Sequence, residues 1–169
     1  VSNPPEAIAW YVLYTKSRHE KLVDELLKRK GLESFLPLRK IQRQWSDRVK
    51  RIEEPLFKGY LFVRTAFANR VEVLQTKGVV RFIGFGPFPE PVPEKVIFAL
   101  RRFMEEEIEV DPFPYLKEGD AVTVKEGLFR GVEGFLVHKK GKYRLVVSLD
   151  HIQQAVSVEL DAASVEKIR

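Results

Sequence analysis

The sequence predicts an α+β chain of two domains: helices packed on a mainly antiparallel sheet, then a linker, then a small five-stranded β-barrel. Three observations carry this. Between residues 8 and 104, apolar runs of strand character alternate with helical stripes. Between residues 121 and 168, five short apolar-rich runs follow one another with no helical stripe. The segment between them, EEEIEVDPFPYLKEGD, runs an acidic tail into Pro112 and Pro114, and charge repulsion and fixed proline torsions keep such a stretch extended. The expected division is therefore 1–106, a linker over 107–116, and 117–169.

Ile8 to Tyr14 (IAWYVLY) reads as a buried strand. Ser17-Arg-His-Glu20 fits a capping box, which would open a helix carrying Leu22, Leu26 and Leu27 on one face and stopping at Gly31. Ser34 to Leu38 and Arg39 to Trp45 are extended, and Ser46-Asp47 turns the chain into Arg48 to Glu53. Gly59 to Arg64 is a second strong strand, Ala66 to Gln75 a helix, and Val79 to Ile83 a strand. Pro93 starts a helix with Val96, Ile97, Leu100, Phe103 and Met104 on one stripe. The barrel strands are Ala121–Val124, Val132–Val137, Tyr143–Leu149, Ala155–Leu160 and Val165–Ile168. Pro4-Pro5 and Pro87 to Pro93 are the other proline-rich punctuation.

Composition narrows the function classes. No apolar window is long enough to span a membrane, and Val1 to Ala9 has no signal-peptide pattern, so a cytoplasmic protein is expected. Zero cysteines exclude thiol chemistry and disulfides. His19, His138 and His151 lack metal-ligand spacing, and no glycine-rich loop opens a helix to hold phosphate. Glu105-Glu106-Glu107 reads as a solvated acidic stretch rather than an acid–base pair. No enzyme, cofactor or metal is expected. The net charge of +5 is unevenly placed: Lys16 to Lys58 holds 13 Lys/Arg against 7 Asp/Glu, whereas Glu105 to Glu118 holds six acids and one base. A nucleic-acid partner would therefore meet the first half.

Two sets of motifs then identify a family resemblance. Lys117-Glu-Gly-Asp-Ala-Val-Thr-Val followed by Gly127-Leu-Phe129-Arg-Gly131-Val-Glu-Gly134 resembles the KOW motif, a strand, a glycine loop and a second strand; the plainer reading is an SH3-like barrel whose glycines only make turns. Trp10-Tyr-Val-Leu-Tyr14, Glu54-Pro-Leu-Phe57-Lys-Gly-Tyr60-Leu-Phe-Val63 and Gly78-Val-Val-Arg-Phe-Ile-Gly84 resemble, in order and separation, the N-terminal (NGN) domain of NusG-like transcription elongation factors. The resemblance covers residues 8 to 168. Pro91-Val-Pro93 and Gln42-Arg-Gln-Trp-Ser-Asp-Arg48 are similar to the specialised paralogues, the RfaH, LoaP and above all UpxY antiterminators.

That resemblance implies a monomer with an aromatic depression gripping the β′ clamp helices of RNA polymerase, formed here by Tyr14, Phe57, Lys58, Gly59 and Tyr60 with Val80 and Phe82 beside them. The plainer reading makes the aromatics strand core. Many relatives have proline where Lys58 stands. Lys16, His19 and Lys77 fall where paralogues meet non-template or upstream DNA, and Asn69 to Glu72 is the position of a contact to the β gate loop. Bridging these elements would hold the clamp closed and suppress pausing or termination. The barrel is expected to stay a barrel, leaving the first domain unmasked, and to meet a ribosomal protein or Rho. Independently of the family, Arg39, Lys40, Arg43, Arg48, Lys50 and Arg51 line a hairpin with Trp45, which is either an arm toward nucleic acid or a charged, solubilising edge. The rival readings are a KOW-bearing RNA- or ribosome-binding module, an unrecognised enzyme acting on nucleic acid, which a carboxylate cluster or His pair converging in a cleft would support, and a housekeeping NusG coupled to Rho or the ribosome.

Overall fold

A computed structural model describes residues 7–85, 88–106, 108–116 and 118–168. Pro4, Pro5, Pro87, Glu107 and Lys117, which carried expectations above, lie outside the described residues. The chain divides into two compact units, Val1–Val92 and Pro93–Arg169.

The first unit opens with β1 (Ile8–Thr15) and α1 (Glu20–Arg29), then β2 (Glu33–Phe35), β3 (Leu38–Trp45), β4 (Arg48–Pro55) and β5 (Tyr60–Ala66). A 3₁₀ turn (Phe67–Asn69) leads into the short α2 (Arg70–Leu74), followed by β6 (Val79–Phe82), β7 (Gly84–Phe85) and β8 (Phe88–Pro89). Four strands form an antiparallel sheet in the order β2-β5-β1-β6, and among the described residues β3 pairs only with β4. The most apolar run thus sits in the centre: β1 is paired on both sides, and Tyr11, Val12 and Leu13 are fully buried.

Strand alternation divides the sheet's two faces. Tyr11, Leu13, Leu61 and Val63 point to one side and form a core with Val23 and Leu27 of α1 and Val73 of α2. Each such buried aliphatic side chain contributes roughly 1.5–3 kcal/mol of transfer free energy. Trp10, Val12 and Phe62 lie on the opposite face, also buried, with the rings of Phe35 and Phe57 against Phe62.

Two local expectations are corrected. The buried stripe of α1 is Val23–Leu27, at i,i+4, while Leu22 and Leu26 are only half-buried. The capping box does not form: α1 begins at Glu20 with His19 at the cap position, and no side chain caps it. Arg18 takes a left-handed torsion (φ 62°), which carries Ser17 out of capping position. Gly31 ends α1 at φ 79°, as expected, and the Leu32 amide returns to the Leu27 carbonyl at 3.0 Å.

The second unit begins with α3 (Glu94–Glu105), then β9 (Asp111–Phe113), β10 (Asp120–Val124), β11 (Glu133–Lys139), β12 (Lys142–Leu149), β13 (Gln154–Glu159) and β14 (Val165–Lys167). All five expected barrel strands are present. The sheet order is β14-β10-β11-β12-β13-β9, antiparallel throughout. Its sixth strand, β9, comes from the stretch expected to be linker. Arg144 donates to Asp111 at 2.7 Å, and the Tyr115 hydroxyl donates to Asp150 at 2.8 Å, fastening that stretch to the sheet. The second bond holds the Tyr115 phenol above its ordinary pKa.

Helix α3 groups with this second unit. Its buried stripe is Ile97, Ala99, Leu100 and Phe103, where Val96 and Met104 were expected to share it. The Phe103 ring meets Phe129 edge-on at 5.1 Å, and Arg102 donates to the Leu128 carbonyl. No helix among the described residues is long and apolar enough to cross a membrane.

The glycines of the second unit separate two kinds of constraint. A Cβ on Gly134 would stand 2.5 Å from the Val146 carbonyl of the paired strand, whereas one on Gly141 (φ 76°) would touch nothing within 4 Å. Gly134→Ala is expected to destabilise by about 2 kcal/mol or more, because backbone must give way. Gly141→Ala should cost only the left-handed torsion, about 1 kcal/mol. Urea unfolding midpoints at unchanged slope measure the difference.

Candidate functional site at the end of the first sheet

The site grows from the last pair of the β1–β5 ladder. Tyr14 is opposite Tyr60 on one side and Arg81 on the other, so the three side chains form a row across the sheet on one face. The tyrosine rings lie 5.4 Å apart and tilted, and the Arg81 guanidinium stands over Tyr14 at 5.7 Å. Tyr14 is 37% exposed and Tyr60 is half-buried, so this end of the face is open where Val12 and Phe62 are covered. Adjoining tilted aromatics with a cation over one ring make an apolar surface with a polar rim, the form that interface anchors take.

The turn that leads into β5 holds the row in place. The Tyr60 amide donates to the Phe57 carbonyl at 3.1 Å, and Gly59, at φ 86°, occupies the third position, the signature of a type II turn. Lysine at the second position does not prevent the turn from closing. The Gly59 carbonyl accepts from the Thr15 amide at 2.8 Å, and the Gly59 amide donates to the Glu20 carboxylate at 3.3 Å. Glu20, buried at the first turn of α1, therefore serves the 57–60 turn and not its own helix cap.

Beside Tyr14 a cleft of about 700 Å³ opens among the start of α1, the base of the β3–β4 hairpin and the 57–59 turn. Four cations line it: Arg18, Lys21, Arg43 and Lys58. Two are engaged, Arg43 by Glu54 at 3.5 Å and Lys21 by the Glu53 carbonyl at 2.8 Å. Arg18 and Lys58 are exposed. Among the described residues no group of His, Asp and Glu is arranged to hold a metal.

The other expected residues fall into three groups. Phe57 and Phe82 are inward. Phe57 is 1% exposed and packs edge-on to Phe62, and Phe82 shares the side of Leu13 with its ring edge-on to Tyr11 at 5.8 Å. Val80 is 46% exposed and sits at the register shift between β1 and β6. Lys16 and His19 both adjoin Gly78, the residue after Lys77: the Lys16 amide donates to the Gly78 carbonyl at 2.8 Å, and Gly78 lies tightly against His19 and Val23. Lys16 and Lys77 are exposed, and the His19 ring donates from Nδ1 to the Ser17 carbonyl at 2.8 Å, given the matching tautomer.

In the second unit Gly127 and Gly131 both take φ 89°, Phe129 is buried between them, and Leu128 is exposed at the loop tip. The Gly131 amide closes the loop on the Val124 carbonyl at 2.8 Å.

A family model described as transcription termination factor nusG matches residues 8–101, through β1, the tyrosine row and most of α3. The chain belongs to the NusG family. The transcription termination/antitermination protein NusG of Streptococcus pyogenes serotype M3 is 30% identical over 166 residues, covering 89% of this chain and 92% of that protein. NusG of Lactococcus lactis is 27% identical over 178 residues, with 95% and 93% covered. A solved structure of Thermotoga maritima NusG, described for its domain interaction, superposes with a TM-score of 0.56 at 25% identity, covering 98% of this chain and all of that one. Membership places this chain among transcription factors of the termination/antitermination class. Arg81 and Glu20 escaped the sequence reading. The bulge between β1 and β6 hides the first, and the helix-start pattern around Ser17 disguised the second.

The turn makes opposite predictions at neighbouring positions. Gly59→Ala forces a Cβ into the left-handed region and within 3.3 Å of Tyr14 Cε1, so a loss of about 1–2 kcal/mol is expected with a displaced Tyr14 ring signal. Lys58→Pro pre-sets the torsion of the second turn position and should stabilise by about 0.4–1 kcal/mol. Chemical unfolding of both variants, with the tyrosine ring resonances of each, checks the pair.

Proposed function

We propose that this protein is a non-enzymatic elongation factor that binds RNA polymerase through the Tyr14–Tyr60–Arg81 row and the Lys58-Gly59 turn, receiving the β′ clamp helices there. The observation that carries this reading is the pair of adjoining, partly accessible tyrosines at the end of a sheet face whose middle, Val12 and Phe62, is covered. A rigid aromatic pair offers large contact area at little entropic cost. Phe57 acts from beneath by setting the position of the turn. Asn69 to Glu72 would face the β gate loop, and Lys16, His19 and Lys77 would meet the displaced non-template strand through phosphate charge. The barrel is free to engage a ribosomal protein or Rho.

Holding β′ on one side and β or DNA on the other favours the closed clamp over the swivelled, paused state. The factor shifts that equilibrium only by its preference for the closed form, so its effect on pausing is bounded by its differential affinity. The family match, which runs to residue 101, also supports assigning α3 to the polymerase-binding domain and dividing the domains at 107–116.

Titration of the chain against a purified bacterial β′ clamp-helix fragment tests the reading. Tyr14→Ala and Tyr60→Ala are each expected to weaken binding about thirtyfold, the equivalent of a hot spot of about 2 kcal/mol. Phe57→Ala should instead lower stability by about 3 kcal/mol or more, as a core truncation. A folded native chain that leaves the fragment unbound, or tyrosine variants that bind like the native chain, would sink the proposal.

A further inference from the structure

The β3–β4 hairpin has a second feature that clamp binding does not use. Its ladder runs unbroken from Leu38↔Pro55 to Trp45↔Arg48, and with about 3.3 Å per residue the ribbon is about 25 Å long. Its outer half, residues 42–51, is exposed throughout and carries four cations against the single acid Asp47. The register sorts these by face. Trp45, Arg48, Arg43 and Lys50 share one face, and Arg51 shares the other with Gln42, Gln44 and Val49. No carboxylate pairs with Arg48, Lys50 or Arg51 among the described residues, and Arg43 alone has one, Glu54. Trp45 is 57% exposed and Val49 61% exposed.

Trp45, exposed at the tip among Arg43, Arg48 and Lys50 on its face, places an aromatic ring where a cationic arm would lead into a polyanion. Cations on both faces suit an element flanked by phosphates on both sides. That is the environment of a two-stranded ribbon inside the major groove of B-form DNA, about 12 Å wide. The side-chain amides of Gln42 and Gln44 are of the type that reads base edges there. The major groove of an A-form RNA helix is too deep and narrow to admit the same ribbon.

We propose that the outer half of the β3–β4 hairpin is a docking arm for double-stranded DNA, with Arg48, Lys50 and Arg51 straddling the groove and Trp45 leading. This site is distinct from Lys16, His19 and Lys77, and it does not rest on the clamp-helix reading, because its test contains no polymerase.

The full chain is titrated with a mixed-sequence DNA duplex at low ionic strength and followed by tryptophan emission, in which Trp45 is exposed and Trp10 is buried. Binding is expected with a change in emission that is absent from Trp45→Phe. Removing three phosphate contacts in Arg48→Ala/Lys50→Ala/Arg51→Ala should flatten the slope of log K against log salt by roughly 2.7 and weaken binding at least about tenfold. The barrel variant Lys139→Ala/Lys140→Ala/Lys142→Ala, with the same change in charge, should bind the duplex like the native chain. Equal losses in the two variants would overturn the proposal, as would unchanged Trp45 emission at saturation or equal affinity for duplex RNA. Both variants should keep the native fold by far-ultraviolet circular dichroism. The hairpin variant should also keep its affinity for the clamp-helix fragment, so failure of one reading is separable from failure of the other.

Discussion

The first unit depends on the pairing of β1 with β5 up to its last rung, Tyr14 opposite Tyr60, and on the single bond that ends it, from the Thr15 amide to the Gly59 carbonyl. A slip of one residue would send every side chain of β1 to the other face. Tyr11 and Leu13 would leave the core, and Tyr14 would be buried. The apolar alternation therefore makes the register costly to change, and the same register lays out the tyrosine row. Gly59 belongs to both aspects: it closes the turn, accepts from β1 and donates to Glu20 at the base of α1.

The unit thus separates a rigid aromatic surface from a projecting charged one. The tyrosine row sits on a strand paired on both sides, backed by Val12 and Phe62, and its aromatics have little freedom to lose on binding. Among the described residues the β3–β4 ribbon pairs only with itself. Its base is held by the Lys21 ammonium on the Glu53 carbonyl and by the Leu56 amide on the Pro37 carbonyl. Beyond that base the ribbon is polar and charged, which suits long-range attraction to a polyanion more than close apolar fit.

In the second unit the glycine loop works by backbone geometry. Gly127 and Gly131 take torsions that other residues avoid, and Phe129 is turned inward between them against Phe103 of α3. Gly134 answers a different need, the close approach of β11 to β12. The helix Glu94–Glu105 groups by its contacts with this unit, while the family match runs through it from the first.

The sequence by itself determined the α+β class, the order of the longer helices and strands, the five barrel strands and the Ser46-Asp47 turn. Each is a local property, carried by periodicity, glycine and proline within a few residues. The grouping of Tyr14 with Phe57, Lys58, Gly59 and Tyr60 came from the family resemblance and not from any local pattern; the structure pairs Tyr14 with Tyr60 at the end of one ladder. Only the tertiary structure decided which aromatic faces outward. Phe57 and Tyr60 lie three residues apart in the same motif, yet the turn at Gly59 buries one against Phe62 and leaves the other beside Tyr14. The structure likewise drew Arg81 over Tyr14 and turned Glu20 from a helix cap into a partner for Gly59. It also made a strand of Asp111–Phe113 by giving it the free edge of β13. These outcomes depend on residues far apart in the chain competing for the same hydrogen bonds and the same apolar surface, and no local pattern encodes who wins.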